Sequence, residues 1–193
     1  MQKITSLKCL ILIIGIIQGS QSLAASFTLS KGNGYTIEPL YGYETVFRDY
    51  PTAHLQTRAM YGARVTLGAD ILSAELEYMK ASDTENFSTA PQTIKIDDEK
   101  LKLGIRSTYR FNDYIYSSVR LGAQATKSTH EEISGGISDK KEKPIAYNPY
   151  AGASLGVRFG VLSINLSSTV IFRDSSDMSK NDYQNTISAG IGY

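Results

Sequence analysis

The sequence has a single cysteine, Cys9, two histidines and no tryptophan among its 193 residues. Cys9 lies in an N-terminal apolar stretch that is expected to be removed, so the mature chain has no thiol for a disulfide or a metal. The histidines, His54 and His130, are far apart in sequence and lack a third clustered ligand for a metal. No serine stands at a recognisable spacing from either of them. We therefore expect no enzyme activity, no metal and no cofactor.

A strong charge of either sign is also lacking. The formal net charge of the whole chain is +1, and it becomes about −1 when Lys3 and Lys8 are lost with the signal. Such a chain has no basic field with which to bind nucleic acid. Beyond the first 25 residues no apolar run approaches the ~20 residues of a membrane-spanning helix. A membrane protein of this sequence would have to cross the bilayer with strands.

The N-terminal segment Met1–Ala25 is typical of a secretory signal peptide. It combines a basic start, an apolar run over Cys9–Ile17 and a small-residue cleavage region around Ser22-Leu23-Ala24. An uncleaved anchor is the alternative, but the run is shorter than the ~20 residues that such a helix needs. Residues 1–25 are therefore interpreted as the signal peptide and residues 26–193 as one domain.

The remaining sequence is dominated by period-two alternation, which is clearest in the last eleven residues. Tyr183, Ile187, Ile191 and Tyr193 share one face there, and small or polar residues share the other. This length matches the ~9–11 residues of a membrane strand. Ile191 and Tyr193 are predicted to form a C-terminal assembly signal. Eight such runs occur: Gly34–Glu44, Thr57–Leu67 and residues 72–79, 101–111, 115–125, 147–159, 162–172 and 183–193.

The connections between these runs alternate between long and short. Short turns are predicted at Gly68-Ala69-Asp70, Asn112-Asp113 and Gly160. Long polar loops are predicted over Thr45–Gln56, Ala81–Asp98, Lys127–Pro144 and Arg173–Asn181. An antiparallel barrel with both termini in the periplasm has this pattern. The predicted fold is all-β: an eight-stranded antiparallel transmembrane β-barrel, an up-and-down meander with short periplasmic turns and long extracellular loops.

A soluble lipocalin-like barrel has the same alternation with its apolar face inside. Two groups of residues favour the opposite orientation. Glycines crowd the polar face, as a narrow interior requires: Gly42, Gly62, Gly104, Gly122, Gly152, Gly156, Gly190 and Gly192. Aromatic residues stand near the ends of the apolar faces, where membrane girdles occur: Tyr35, Tyr43, Tyr78, Phe111, Tyr147, Phe159, Phe172, Tyr183 and Tyr193. The lipid-facing side is therefore predicted to be the apolar one.

Signal peptide, eight alternating runs, three tight turns and the terminal Ile-Gly-Tyr together make the chain resemble the small outer-membrane barrels of the OmpA, OmpX and Ail type. The resemblance covers essentially the whole mature chain and implies a Gram-negative outer-membrane location. The peptidoglycan-binding domain of the OmpA pattern has no counterpart in this sequence, so we expect no tethering to the cell wall by such a domain.

Charged residues on the polar faces would line the lumen. They should pair across strands, because lone charges in a narrow interior are costly. We expect acids of the first and third runs to contact Arg64 and either Lys102 or Arg106, and so to plug the lumen. A purely stabilising role and a narrow anion-leaning passage are the alternatives. The residues are Glu38, Glu44, Arg58, Arg64, Glu75, Glu77, Lys102, Arg106, Arg110, Arg120 and Arg158.

The predicted function is structural or surface-interacting, through mobile loops such as Lys127–Pro144. The resemblance implies, by analogy, binding of host macromolecules by these loops; loops that merely hydrate the surface are the alternative. Lipid and lipopolysaccharide are expected partners, the latter through Lys80, Lys127 and Arg173. A monomer is expected. A small channel for ions or polar solutes and a lipid-modifying enzyme remain the rival functions.

Overall fold

The computed structural model describes residues 34–48, 53–87 and 93–192. The predicted signal peptide and Tyr193 of the predicted assembly signal lie outside these residues. The described chain folds into nine strands: β1 (Gly34–Arg48), β2 (His54–Gly68), β3 (Ser73–Asn86), β4 (Thr93–Arg110), β5 (Ile115–Ser134), β6 (Ile137–Glu142), β7 (Ala146–Phe159), β8 (Leu162–Ile171) and β9 (Asp182–Gly192).

Eight of these strands close into a ring. Each pairs antiparallel with its neighbours in the order β1, β2, β3, β4, β5, β7, β8 and β9, and β9 pairs back onto β1 from Thr36↔Gly192 to Thr45↔Tyr183. The remaining strand, β6, pairs with β5 alone. Closure leaves no open edge in the barrel wall, which a structure surrounded by hydrocarbon requires. The predicted eight-stranded antiparallel meander is confirmed.

The barrel is apolar on its outside and charged on its inside. Leu103 and Leu166 point outward and are 61% and 62% exposed, whereas Arg64 and Arg120 point inward and are each 1% exposed. A soluble barrel would have the opposite distribution, since burial of apolar area drives folding in water. The soluble alternative is therefore wrong for this chain.

The barrel has a short-turn end and a long-loop end. Connections of four, four and two residues, 69–72, 111–114 and 160–161, join strands at the short-turn end. In the second of these, the side-chain oxygen of Asn112 accepts hydrogen bonds from the backbone N–H groups of Tyr114 and Ile115. Gly160 adopts a φ of +63°, which glycine tolerates best. All three predicted turns lie at this end.

In two segments predicted as loops, most of the described residues belong to strands that project beyond the barrel wall. β3 loses its β2 partner after Ala81 but stays paired with β4 as far as Asn86↔Thr93. β5 loses β7 at Thr126 and pairs with β6 from Thr129 onward. We call residues 82–86, 93–98, 127–134 and 137–142 the projecting sheet. The predicted long connection over Lys127–Pro144 is present, but most of it forms a regular hairpin and not an irregular loop.

Gly135-Gly136 forms the turn of that hairpin. Their φ angles of +58° and +82° match a two-residue type I′ turn, whose twist fits the two flanking strands. The glycines therefore direct the chain back on itself.

The β8–β9 connection is ordered by its own polar groups. Asn181 is fully buried, and its side-chain oxygen accepts from the backbone N–H groups of Arg173 and Asp174. Asp177 caps a 3-10 turn over Met178–Lys180. No helix within the described parts of the chain is long and apolar enough to cross a membrane.

Glycines inside the barrel make room for the few large inward side chains. Gly104 and Gly122 are direct partners on β4 and β5, and the Tyr150 ring of β7 lies against both. A methyl group on Gly122 would lie 2.2 Å from the carbonyl oxygen of Leu103 and 2.8 Å from the Tyr150 ring. The interior can hold Tyr150 only because its neighbours have no side chain.

Candidate functional site: a charged lumen

Glu77 on β3 is the centre of the lumen network. Its carboxylate accepts from Arg64 Nε at 2.7 Å, from Arg120 Nη2 at 2.7 Å and from Lys102 Nζ at 2.5 Å. These three cations come from β2, β5 and β4, so one acid joins four strands. Each side chain points inward because it occupies the inward position of its strand's alternation.

Glu38 on β1 extends the network around the lumen wall. One oxygen accepts from Arg64 Nη1 at 2.8 Å and the other from Arg106 Nη1 at 3.1 Å. The Ser188 hydroxyl on β9 donates to Glu38 at 3.1 Å. The network therefore crosses the β9–β1 seam, which closes the barrel.

Glu75 is the inward-facing residue next to Glu77 on β3, and its carboxylate contacts the part of the wall formed by β5 and β7. Arg120 Nη2 lies 2.6 Å from its carboxylate, and the Tyr150 hydroxyl donates to it at 3.3 Å. The charges of Lys102 and Arg120 lie 5.7 and 5.8 Å from the centre of the Tyr150 ring, within cation–π range. Tyr150 thus contacts both the acid and the cations at the centre of the lumen.

A second cluster lies nearer the long-loop end. Glu44 accepts from Arg58 Nε at 2.7 Å and pairs with Lys100, while Arg58 also pairs with Asp98. Gln184 on β9 connects the two clusters, since its oxygen accepts from Lys102 at 2.5 Å and its nitrogen donates to Glu44 at 3.0 Å. The polar network therefore runs along much of the barrel axis.

Between the clusters, the wall formed by β1, β2 and β3 carries apolar side chains. Leu40, Met60, Met79 and Ala81 form a buried group there. The Lys102 ammonium lies 3.7 Å from the Met79 sulfur. The lumen is thus filled by side chains of both kinds.

The structure brings nine of the eleven predicted lumen residues into this network. They are Glu38, Glu44, Arg58, Arg64, Glu75, Glu77, Lys102, Arg106 and Arg120. Arg110 instead lies exposed at the short-turn end and pairs with Asp70 at 2.6 Å. Arg158 is half-buried there, and no other described residue forms an ion pair with it. Ile191, the described half of the predicted assembly signal, points outward and is 52% exposed.

The network also includes Asp98, Lys100 and Gln184, which were not among the predicted residues. Asp98 and Lys100 precede the predicted start of the fourth strand, and Gln184 is uncharged. All three point inward from regular strand positions. Extending the alternation of the fourth strand toward its N-terminus would have located Asp98 and Lys100.

Both histidines lie at the long-loop end: His130 belongs to the projecting sheet, and His54 on β2 lies beside it. His54 lies 3.2 Å from Glu85, and His130 stands opposite Ile96 on β4. Burial lowers the pKa of the His130 imidazole to about 4, and the positive charges of Lys143 and Arg48 add to this effect. His130 is therefore neutral at physiological pH.

Comparison with known proteins gives a fold but no sequence family. No family model matches the chain, and no curated protein matches it. Solved structures do match. The N-terminal β-barrel domain of OprF from Pseudomonas aeruginosa aligns with a TM-score of 0.58 and 13% identity over 83% of this chain and 98% of that one.

Two further structures give the same result. Ail, the attachment invasion locus protein of Yersinia pestis, aligns with a TM-score of 0.55 and 16% identity over 83% of this chain and 99% of its own. Neisserial surface protein A aligns with a TM-score of 0.54 and 9% identity over 83% and 96%. The chain therefore has the fold of the small eight-stranded outer-membrane barrels.

We predict that Glu77→Gln destabilises the barrel by about 3–5 kcal/mol, because Lys102 loses its only carboxylate in the described network while remaining buried. Arg110→Gln is the matched control. Its pair with Asp70 is partly exposed, and its loss should cost less than about 1 kcal/mol. Urea unfolding of both variants in lipid vesicles measures the difference. Equal stability of the two variants would contradict a central role for Glu77.

Proposed function

We propose that the chain is an integral outer-membrane protein with a closed lumen, and that it acts through its surface at the long-loop end without catalysis. The observation that carries the proposal is the inverted distribution of side chains, with paired charges inside and an apolar belt outside. The described barrel presents no edge and no lone charge at the centre of that belt. Hydrocarbon is the solvent that such a surface suits.

Aromatic side chains mark the two limits of the apolar belt. On β7 the outward positions run from Tyr147, 73% exposed, to Phe159, 59% exposed. On β1 they run from Tyr35 to Tyr43. Aromatic rings of this kind favour the interface between hydrocarbon and headgroups. The stretch of strand between two such aromatic residues spans the ~25 Å apolar band of an outer-membrane barrel.

A closed lumen is supported by the burial of its central side chains. Arg64, Glu77, Lys102 and Arg120 are each 1% exposed. A water-filled passage at their level would leave their charged groups accessible to water. Moving an ion past them would also require breaking several short ion pairs in a medium of low dielectric constant. The charges therefore act as a stabilising plug, and the rival function of a channel is disfavoured.

The projecting sheet supports a surface-contact role. It carries Ile137, 76% exposed, next to the hairpin turn, and Ile145 is 52% exposed where β6 leads into β7. Its charges are mixed and locally paired, as in Lys127 with Glu142 at 3.3 Å. An apolar tip flanked by balanced charges suits a protein partner better than a polyanion. By contrast, one structure of the Ail protein holds a heparin analogue, sucrose octasulfate.

Lipid contacts follow from the belt, whereas lipopolysaccharide contacts would involve three cations that already have acidic partners. Lys80 pairs with Glu99 at 2.9 Å, Lys127 pairs with Glu142 and Arg173 pairs with Asp182 at 3.2 Å. A lipid phosphate would have to compete with these acids. The exposed pairs can exchange partners at small cost, so we retain lipopolysaccharide as a proposed contact.

A topology experiment tests the membrane location. Because Cys9 is the only cysteine and lies in the predicted signal, single cysteines can be introduced cleanly. We expect Ser138→Cys in the projecting sheet to react with a membrane-impermeant maleimide on intact cells. Asp113→Cys, in a short turn, should react only after the outer membrane is permeabilised. Labelling of both variants on intact cells, or of neither, would contradict the proposed orientation.

Planar-bilayer recording tests the closed lumen. The wild-type barrel should show no stable open steps at moderate voltage, because its central charges are held by neighbours on four strands. The double variant Glu77→Ala/Arg120→Ala removes the central acid together with one of its cations, and it should raise the frequency of openings. Steady unitary conductance of the wild type would overturn the plug and favour the channel.

Replacement of the hairpin tests the surface role. The Lys143 N–H donates to the Ser128 carbonyl at 2.9 Å, so an Asn-Gly turn can join these residues in place of 129–142. We expect cells producing this variant to adhere several-fold less to immobilised serum and matrix proteins. The variant Lys140→Gln/Lys141→Gln, which retains the hairpin, controls for charge alone. Unchanged adhesion after hairpin replacement would contradict the proposed role.

A further inference from the structure

The outer wall of the barrel is not uniformly bulky. A groove of about 620 Å³ crosses β7, β8, β9 and β1 on the outward face. Its floor includes three small or polar side chains in neighbouring strands, Ala153, Ser168 and Asn185. Tyr41 and Tyr43, packed edge to face with ring centres 5.7 Å apart, form a ridge along one side. The surface thus carries a ridge and a hollow side by side.

The groove runs from the middle of the apolar belt toward its limit at the long-loop end. Ala153 stands six residues from both Tyr147 and Phe159, the outward aromatics at the two ends of β7. Ser168 pairs with both Ala153 and Asn185 in the sheet, and Asn185 pairs with Tyr43. Two side chains that can both donate and accept hydrogen bonds therefore face the lipid next to each other, and Asn185 is the one nearer the limit of the belt. The side chains of Ser168 and Asn185 make no hydrogen bond to any other described residue.

In place of the monomer expected from the sequence, we propose that this groove is the interface of a symmetric homodimer within the membrane, formed with the groove of a second copy of the chain. The proposal rests on the membrane location proposed above. Hydrogen-bonding groups facing lipid are costly, and membrane interfaces join small residues with polar side chains that bond across the contact. An acyl chain would fill the hollow but would leave the Asn185 amide without a partner.

The chemistry of the groove is self-complementary, which a second copy requires. A primary amide has both a donor and an acceptor, so two Asn185 side chains related by a twofold axis can form a reciprocal pair of hydrogen bonds. The same axis places the Tyr41 and Tyr43 ridge of each copy toward the Ala153 and Ser168 hollow of the other. A contact of this kind is isologous and closes at two subunits.

Cysteine cross-linking in vesicles of dilauroylphosphatidylcholine tests the dimer. We expect Ser168→Cys and Asn185→Cys to give a disulfide-linked dimer on oxidation, at lipid-to-protein ratios high enough to suppress random collision. Leu103→Cys, outward on β4 at the opposite wall, is the control and should remain monomeric. Cross-linking of Leu103→Cys at a similar yield would indicate collision and overturn the interface.

A second measurement follows association without cysteines. Energy transfer between labelled copies should show that Asn185→Leu, which retains the side-chain size, weakens association about tenfold by removing two hydrogen bonds. Ala153→Trp should abolish association by filling the hollow. Heat-dependent mobility in gels verifies that each variant is a folded, inserted barrel. A wild type that inserts but stays monomeric overturns the dimer alone, whereas failure to insert overturns the proposed membrane location.

Discussion

The rest of the structure depends on the neutralisation of charges that the barrel encloses. A single residue, Glu77, accepts from cations on three other strands. Because the site is buried, the loss of any one of these partners would strongly destabilise the barrel. The network thereby fixes the relative positions of β2, β3, β4 and β5 from inside. With hydrocarbon on the outside, apolar burial cannot hold the strands together as it does in water, because lipid is as apolar as leucine. Interior ion pairs and the closed ladder of backbone hydrogen bonds supply the cohesion instead.

Much of the wall follows from the sequence, since a strand between two solvents must alternate at period two. Glu38 and Arg64 fall on inward positions by counting alone, and so do the glycines that admit Tyr150. The prediction from this alternation failed in the part of β4 that projects beyond the barrel wall, where water replaces hydrocarbon outside the strand. In residues 93–98 the inward positions include Ile94 and Ile96, both 4% exposed, and the outward ones include Lys95 and Asp97. Water surrounds this part of the strand, so the polarity of its two faces is reversed.

The ion pairs themselves could be predicted only in part. Direct partners such as Glu38↔Arg64 and Glu77↔Lys102 follow once adjacent strands and their turns are placed. A contact of Arg106 with an acid such as Glu38 was expected, whereas that of Lys102 with Gln184 was not, because it depends on the stagger of the closed sheet. Arg110, by contrast, was predicted to line the lumen and does not. It shares the inward alternation, yet it lies past the end of the lumen, where Asp70 and solvent are closer than any interior acid.

In the proposed function, a filled interior leaves two surfaces through which the protein would make contacts. On the wall proposed to face lipid, Ser168 and Asn185 are conspicuous because acyl chains offer their polar groups no hydrogen-bond partner. The projecting sheet meets water, and there exposed apolar groups such as Ile137 are the ones that need explanation. The same physical test identifies both surfaces: a side chain whose polarity does not match that of its surroundings. It does not select the lumen charges, because each central one has partners and therefore needs no ligand to satisfy it.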